Sequence, residues 1–454
     1  MTTASITAVV GLVVVMTSVL AILGFPHLQH TKALPLSQLL DVLKLVLGTV
    51  AGVGALFALV MAYRRQRLAE VADDRDQQRA LLDAQRAVLE QERALLEQRQ
   101  AQEERTRVFN ERFGAASAQL GHDEPAVRLA GAYAMAGLAD DWEQGRQTCI
   151  DVLCAFLRLP YTPDPGEDPA EGQDPVAHAV ARAAYLAARE VRHTVIRIIG
   201  NHLNGHTDVS WHGHDLDFTG AVFDGGDFRQ AVFTNDATIS FQGARFVGGT
   251  VDFGFARFEG GRVDFRSAEF VGGRVGFGYA RFESGTVDFG SARFKGGTVD
   301  FRAARFKGGT VDFRYARFES GTVGFGFAHF KGGGIDFGSA EFVGGTVDFS
   351  YARFESGRVD FRSAEFVGGT VDFGYARFVG GTVSFRAAQF KSGGTVDFRS
   401  AEFWGGRVDF ESAEFMGGRV DFSSAEFEGG TVDFDSASGQ RPAGLPYGTA
   451  SHLS

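Results

Sequence analysis

Three patterns of apolar residues follow one another along the chain. Residues 6–25 contain no charge, and a second apolar run covers residues 45–63. Twenty helical residues rise about 30 Å, the thickness of a bilayer core. Both runs are therefore predicted to span a membrane, with Pro26 closing the first. A signal sequence would want positive charge ahead of a shorter core of about 7–15 residues; Met1, Thr2 and Thr3 offer none beyond the α-amino group. Arg64, Arg65 and Arg67 follow the second run at once, whereas the intervening loop holds Lys32, with Lys44 at the span edge beside Asp41. Lys and Arg mark the cytoplasmic side. Residues 1–63 thus read as a two-span anchor in the lipid bilayer of the cell membrane. The protein is then multi-pass, with both termini and the C-terminal bulk cytoplasmic.

The second pattern is helical. Residues 64–112 lack Gly and Pro and are rich in Ala, Leu, Glu, Gln and Arg, all strong helix formers. Leu81, Val88, Leu95 and Phe109 fall on one seven-residue seam, but Ala84, Gln91 and Gln98 leave its partner seam weak. Eleven acids and eleven arginines form local pairs. Residues 64–113 are predicted to be a long helix or coiled coil, about 70 Å if straight. It either holds the rest away from the bilayer or pairs protomers into a homo-oligomer. Residues 114–206 read as a small helical module. Asp123, Glu124 and Pro125 mark one start, a second helix covers 147–159, a Pro- and acid-rich loop 160–175, and a third helix 177–203. The segments 126–130 and 190–196 resemble HEAT-type helical repeats.

The third pattern dominates the chain. A unit Val-Asp-Phe-x-x-Ala-x-Phe-x-Gly-Gly-x begins at Val251 and recurs every twelve residues to Val383; after one inserted residue it resumes at Val396, Val408, Val420 and Val432. So short a unit buries nothing alone and must stack on its copies. Phenylalanines alternate five and seven apart, as at Phe253, Phe258 and Phe265, each two residues after Val or Ala. Residues two apart in a strand share a face. Val or Ala and Phe then point inward, while Asp252 and Arg257 point outward. The glycine pair falls in the longer spacing, where positive φ suits a wide corner. Upstream, Phe218, Phe223, Phe228 and Phe233 keep a strict five-residue spacing, in Leu216-Asp217-Phe218-Thr219-Gly220-Ala221-Val222-Phe223.

At these residues the chain resembles the pentapeptide-repeat family, over about residues 207–437. The resemblance implies a right-handed, four-sided β-helix with Phe and the residue two before it inside. Four sides alternating five and seven residues give a 24-residue coil. Aromatics at Phe255, Tyr279, Phe327, Tyr351 and Tyr375, with Ala303 the exception, keep that register; Ser267, Ser291, Tyr315, Ser339, Ser363 and Ala387 form the other. Ser284, Ser320, Ser356 and Ser392 offer a rival 36-residue period. Nine or ten coils would stack to about 45 Å. The helix ending near Leu203 is placed to cap the first coil. The last is left to Asp433, Asp435 and a disordered tail, residues 438–454. The fold expected is mixed α then all-β.

Composition adds little chemistry. Sixty glycines and 44 phenylalanines in 454 residues reflect the repeat, and a net charge of −11 with pI near 5.5 gives no basic face for nucleic acid. Cys149 and Cys154 are too few for a disulfide framework and read as core residues. The repeated Asp reads as part of the coil, because a site is singular. His202, His206, His212 and His214 with Asp215 form the one dense histidine cluster, without a Cys or Glu partner pattern for zinc. No phosphate-binding loop, G-x-S-x-G elbow or H-E-x-x-H helix occurs. No catalytic, metal or cofactor residue is therefore assigned, and no cofactor. The leading expectation is a non-enzymatic, membrane-tethered scaffold for an unknown protein partner. Some pentapeptide-repeat proteins look like DNA and bind topoisomerases, which implies a second reading through the acidic C-terminal coils. Residues 207–437 hold 32 acids and 24 Lys or Arg, but 396–437 alone hold ten and three. A DNA mimic wants acid throughout. An enzyme with an unrecognised site is the third reading.

Overall fold

The computed structural model describes residues 10, 11, 13, 14, 17, 18, 21, 36–162, 164–234, 237–445 and 453. These fall into two compact units, one ending at Ala101 and the other starting at Gln102. The expected first span lies largely outside the described residues, and those described within it are helical. Helix α1, Leu36–Leu120, is unbroken for 85 residues. Among the described residues it supplies the one helix long and apolar enough to cross a membrane, from Leu43.

In the second unit α1 ends where Gly121 and His122 form a turn. Three helices follow. Helix α2, Pro125–Asp141, starts with proline at its first position, where the missing N–H has no partner to lose. Helix α3 is Arg146–Arg158 and helix α4 is Pro175–Leu203, the latter capped by the Asp174 carboxylate accepting from the Val176 N–H at 3.1 Å. The end of α1 packs here through Phe109, whose ring lies 4.8 Å from that of Trp142, and through an Arg112–Asp141 ion pair at 2.8 Å.

From Leu216 the chain winds into four parallel sheets of ten, ten, nine and nine strands. Faces 1 to 4 are met in the order of the strands Arg262–Asp264, Glu269–Phe270, Arg274–Gly276 and Arg281–Glu283. Val263 pairs with Val287 and Phe270 with Phe294, so the coil is 24 residues; the inserted residue makes the step from Val371 to Val396 one longer. The 36-residue serine period is a sequence feature laid over this coil. Ser284 and Ser356 take positive φ at the corner between faces 4 and 1, whereas Ser320 precedes Gly321 at the corner between faces 2 and 3.

Among the described residues each wide corner takes one residue at positive φ. At Gly273 a Cβ would also run into the glycine pair of the coil below, so stacked glycines let successive corners touch. The narrow corners are β-turns closed by bonds such as Ala268 N–H to Phe265 O at 3.0 Å. Their third residue, Ser267 or Tyr279, sits at φ 58°. Inside, rings stack coil on coil, as Phe265 on Phe289 and Phe289 on Phe313 at 4.8 Å, and meet edge-on across the axis, as Phe265 and Phe277 at 89°.

The recurring Asp is expected to point outward, and in several coils it is also covered. Asp264, Asp300, Asp360 and Asp421 are all buried. Each carboxylate turns back to accept the N–H two residues on, as Asp264 from Arg266 at 2.9 Å, and an arginine lies over it, Arg266 itself at Asp264 but Arg419 of the strand at Asp421. The C-terminal end also differs from a disordered tail at its start. Ser438–Gly439 pairs with the strand below, and Ala443 exchanges bonds with Phe422 and Val420.

Candidate functional site

Two places on this framework gather polar or aromatic side chains unlike the repeat. The first lies where helices meet the opening coil. A parallel sheet ends in unpaired N–H and C=O groups, and here side chains take them. The Gln147 amide exchanges two 3.0 Å bonds with the backbone of Asp215, Arg158 donates to Asp217 O at 3.0 Å, and Arg192 donates to Val222 O at 2.6 Å. At the centre is Asp224, nearly buried, accepting from Tyr161 Oη at 2.7 Å and Tyr185 Oη at 2.8 Å. His193 Nε2 lies at 2.9 Å and Arg189 at 3.3 Å. Arg192 also lies over the Tyr161 ring at 4.4 Å.

The electrostatics of this cluster are those of a clasp. Burial pushes the Asp224 carboxyl up, but bonds from His193, Tyr161 and Tyr185 outweigh it and hold the group well below the carboxylate range. Burial, then the bond to Asp224, pushes Tyr185 up to about 12 and Tyr161 higher still. An acid locked ionised and phenols locked neutral exchange no protons near neutrality. The sequence reading anticipated a cap from the helix ending at Leu203. It did not single out Tyr161, Tyr185, His193 or Asp224, which no spacing links.

Three rings of the histidine cluster, His202, His212 and His214, are each bonded to a different partner. His202 stacks on Trp211 at 3.9 Å and reaches Asp140 at 3.1 Å, while His212 Nε2 is bonded to Leu203 O at 2.7 Å and His214 Nδ1 to His212 O at 3.2 Å. Among the described residues no three His, Cys, Asp or Glu converge as metal ligands. Cys149 and Cys154 are buried free thiols, which burial pushes up to about 11 and about 12.

The second place is the corner between faces 3 and 4. Phe255, Tyr279, Phe327, Tyr351 and Tyr375 all project into solvent there. Phe255 and Tyr279 stack at 5.1 Å, and Phe327, Tyr351 and Tyr375 at 5.0 Å a step. Beside them on face 4 runs a basic row: Arg257, Arg281, Arg305, His329, Arg353 and Arg377, one per coil. Serine and alanine hold most equivalent positions between faces 1 and 2, where Tyr315 is the aromatic. One corner of the rod is thus an apolar strip edged with cations, suited to contact with another macromolecule.

Comparison with known proteins agrees with the coil. Residues 218–269 match the family described as "Pentapeptide repeats (9 copies)". No curated protein matches the sequence. Among solved structures, a trypsin-treated QnrB1, described as a plasmid-mediated fluoroquinolone resistance protein, aligns at 13% identity over 42% of this chain and 91% of its own. The TM-score is 0.10, so that alignment carries no argument.

Proposed function

From a chain whose residues 218–269 are pentapeptide repeats, we propose a membrane-tethered scaffold without catalytic role, whose β-solenoid offers a rigid surface to a protein partner. The strip from Phe255 to Tyr375 carries this reading. Contiguous apolar side chains left in solvent mark contact surfaces, and interfaces favour Tyr, Phe and Arg. The tether is the apolar start of α1 together with residues 6–25, as two spans with the solenoid cytoplasmic. Residues 64–113 are proposed as the segment that pairs protomers. Absence of catalysis is argued from the clasp, whose Asp224 carboxylate is held ionised and whose two phenols are held neutral.

The topoisomerase reading ranks below this one. Its acid would have to come from residues 396–437, since the rest of the solenoid is nearly balanced. The test is affinity capture from detergent-solubilised membranes with the full chain and with a five-serine variant: Phe255→Ser, Tyr279→Ser, Phe327→Ser, Tyr351→Ser and Tyr375→Ser. Ser400 and Ser424 stand at this same corner at φ 55° and 61°, so its turn accepts serine. The scaffold predicts a partner retained by the wild type and lost by the variant, with both chains resisting carbonate extraction. Equal recovery by both, or release of the chain by carbonate, refutes it; capture of gyrase would favour the second reading.

A further inference from the structure

The exposed aromatic ladder lacks one rung. Between Tyr279 and Phe327 the coil carries Ala303, at φ 55° against 58° for both neighbours, so the backbone aims the side chain alike and only the ring is missing. Two coil steps set the facing rings about 10 Å apart. A planar ring placed midway would lie about 5 Å from each, within the range aromatic pairs prefer and at the 5.0 Å spacing of the intact ladder. The walls of this slot are more open than a rung with two neighbours: Phe327 is 65% and Tyr279 60% exposed, against 50% for Tyr351. The slot lies in a depression of about 820 Å³ that Asp300 and Arg302 also line.

The stretch of sequence that contains the slot, though it runs over all four faces, is basic where the chain as a whole is acidic. Residues 274–331 hold ten Lys and Arg against five acids. In neighbouring coils Glu259 and Glu355 pair with Arg257 and Arg353. In the coils of Tyr279, Ala303 and Phe327 those places are taken by Glu283, Lys307 and Lys331, next to Arg281, Arg305 and His329, so two of the three acids give way to lysine. Among the described residues Arg281, Arg305, Lys307 and Lys331 form no ion pair within 4.0 Å, although Glu283 lines a depression with them and Glu355 is the register neighbour of Lys331. Stacked cations at coil spacing repel one another and attract an anion.

We infer that this slot docks an aromatic side chain borne by an acidic segment of a protein partner. Its ring completes the ladder over Ala303, and its carboxylates meet Arg281, Arg305, Lys307 and Lys331. The inference rests on the scaffold reading and names the partner's chemistry. A nucleotide also joins a ring to negative charge. Small-ligand sites, however, enclose most of the ligand, whereas this slot has two walls and a floor and opens to solvent.

The test is calorimetric titration of the full-length protein in detergent with the blocked peptide Glu-Asp-Trp-Asp-Glu, its Leu counterpart, and ATP. The Trp peptide binds, and the Leu peptide binds about tenfold more weakly. Ala303→Tyr fills the slot and loses about tenfold or more of the Trp-peptide affinity. Its unfolding midpoint is unchanged or higher, since Tyr279 shows that the turn accepts tyrosine. Arg305→Gln with Lys307→Gln weakens binding and flattens its salt dependence. The inference falls if no peptide binds, if the Leu peptide or Ala303→Tyr binds equally well, or if ATP binds more tightly. Partner capture that survives Ala303→Tyr but not the five-serine variant removes the slot and leaves the scaffold standing. Capture indifferent to both removes the two together.

Discussion

Asp264 and Asp336 occupy the same place in the repeat on the same face, yet their carboxyls shift in opposite directions. Burial pushes both up. At Asp264 the Arg266 guanidinium and N–H outweigh burial and hold the group down; at Asp336 glycine stands at 338, and Asp360 and Asp312 push the same way as burial. The two groups therefore affect stability with opposite sign. Asp264 stabilises the fold above its unfolded pKa of about 3.9, and that contribution fades as pH falls through its depressed folded value. Asp336 costs stability above its raised folded value, and acid relieves the cost. Asn keeps the acceptor that closes the turn, so thermal unfolding of the full chain at pH 7 separates the charge terms. Asp264→Asn is expected to destabilise by about 1 kcal/mol and Asp336→Asn to stabilise by up to about that amount. Both differences should vanish in acid, and equal signs at pH 7 would refute the account. The repetition of Asp was enough to read it as structural. That it is buried was not legible, because the covering arginine comes from the turn at Asp264 but from a strand at Asp288 and Asp421, and Asp336 has glycine in its turn.

At the scale of elements, the five-and-seven spacing of phenylalanine fixed the inward set and the narrow and wide corners, because period-two strands admit one inward set; the four faces, and with them the 24-residue coil, came from the resemblance to pentapeptide repeats. The same spacing said nothing of the cap. Tyr161 lies in a loop, and Tyr185 and His193 lie on a helix; all three reach Asp224 only in the folded unit. One signal was present. Gly225 and Gly226 interrupt the strict pentapeptide stretch, and there α4 comes so close that a Cβ on Gly226 would press on Ile196 and one on Gly200 on the Asp227 carbonyl. Removing the acceptor leaves two phenols, an imidazole and a guanidinium facing a void. Asp224→Ala is expected to destabilise the helical module and first coil by about 3–5 kcal/mol at pH 7. Since the folded pKa is depressed, the gap from wild type persists above about pH 4 and closes as pH falls further. Tyrosine fluorescence against denaturant at pH 7 and pH 3 reads both. A gap that widens in acid contradicts an ionised clasp.

At the scale of the whole molecule, a solenoid is a one-dimensional chain of coils, each held by the two beside it. Damage in the middle should therefore act differently from damage at an end. Phe313 is fully buried, stacked at 4.8 Å on Phe289 below and Phe337 above, and edge-on to Phe325 at 90°. Phe427 stacks on Phe403 alone in its file and is only partly buried. Phe313→Ala removes a ring from a layer that cannot close around the gap, at a cost of about 3–5 kcal/mol. Phe427→Ala should cost about half of that, since the last coil already borders solvent. Amide exchange on the full chain distinguishes the two. The central variant loses protection in the coils on either side of Phe313 and keeps it in those next to the helices, so that one cooperative block becomes two. The terminal variant loses protection only beyond about Phe403. Uniform loss along all four sheets in both variants would mean that the coils unfold as a single body. The rod would then act through global stability rather than through contacts between neighbours.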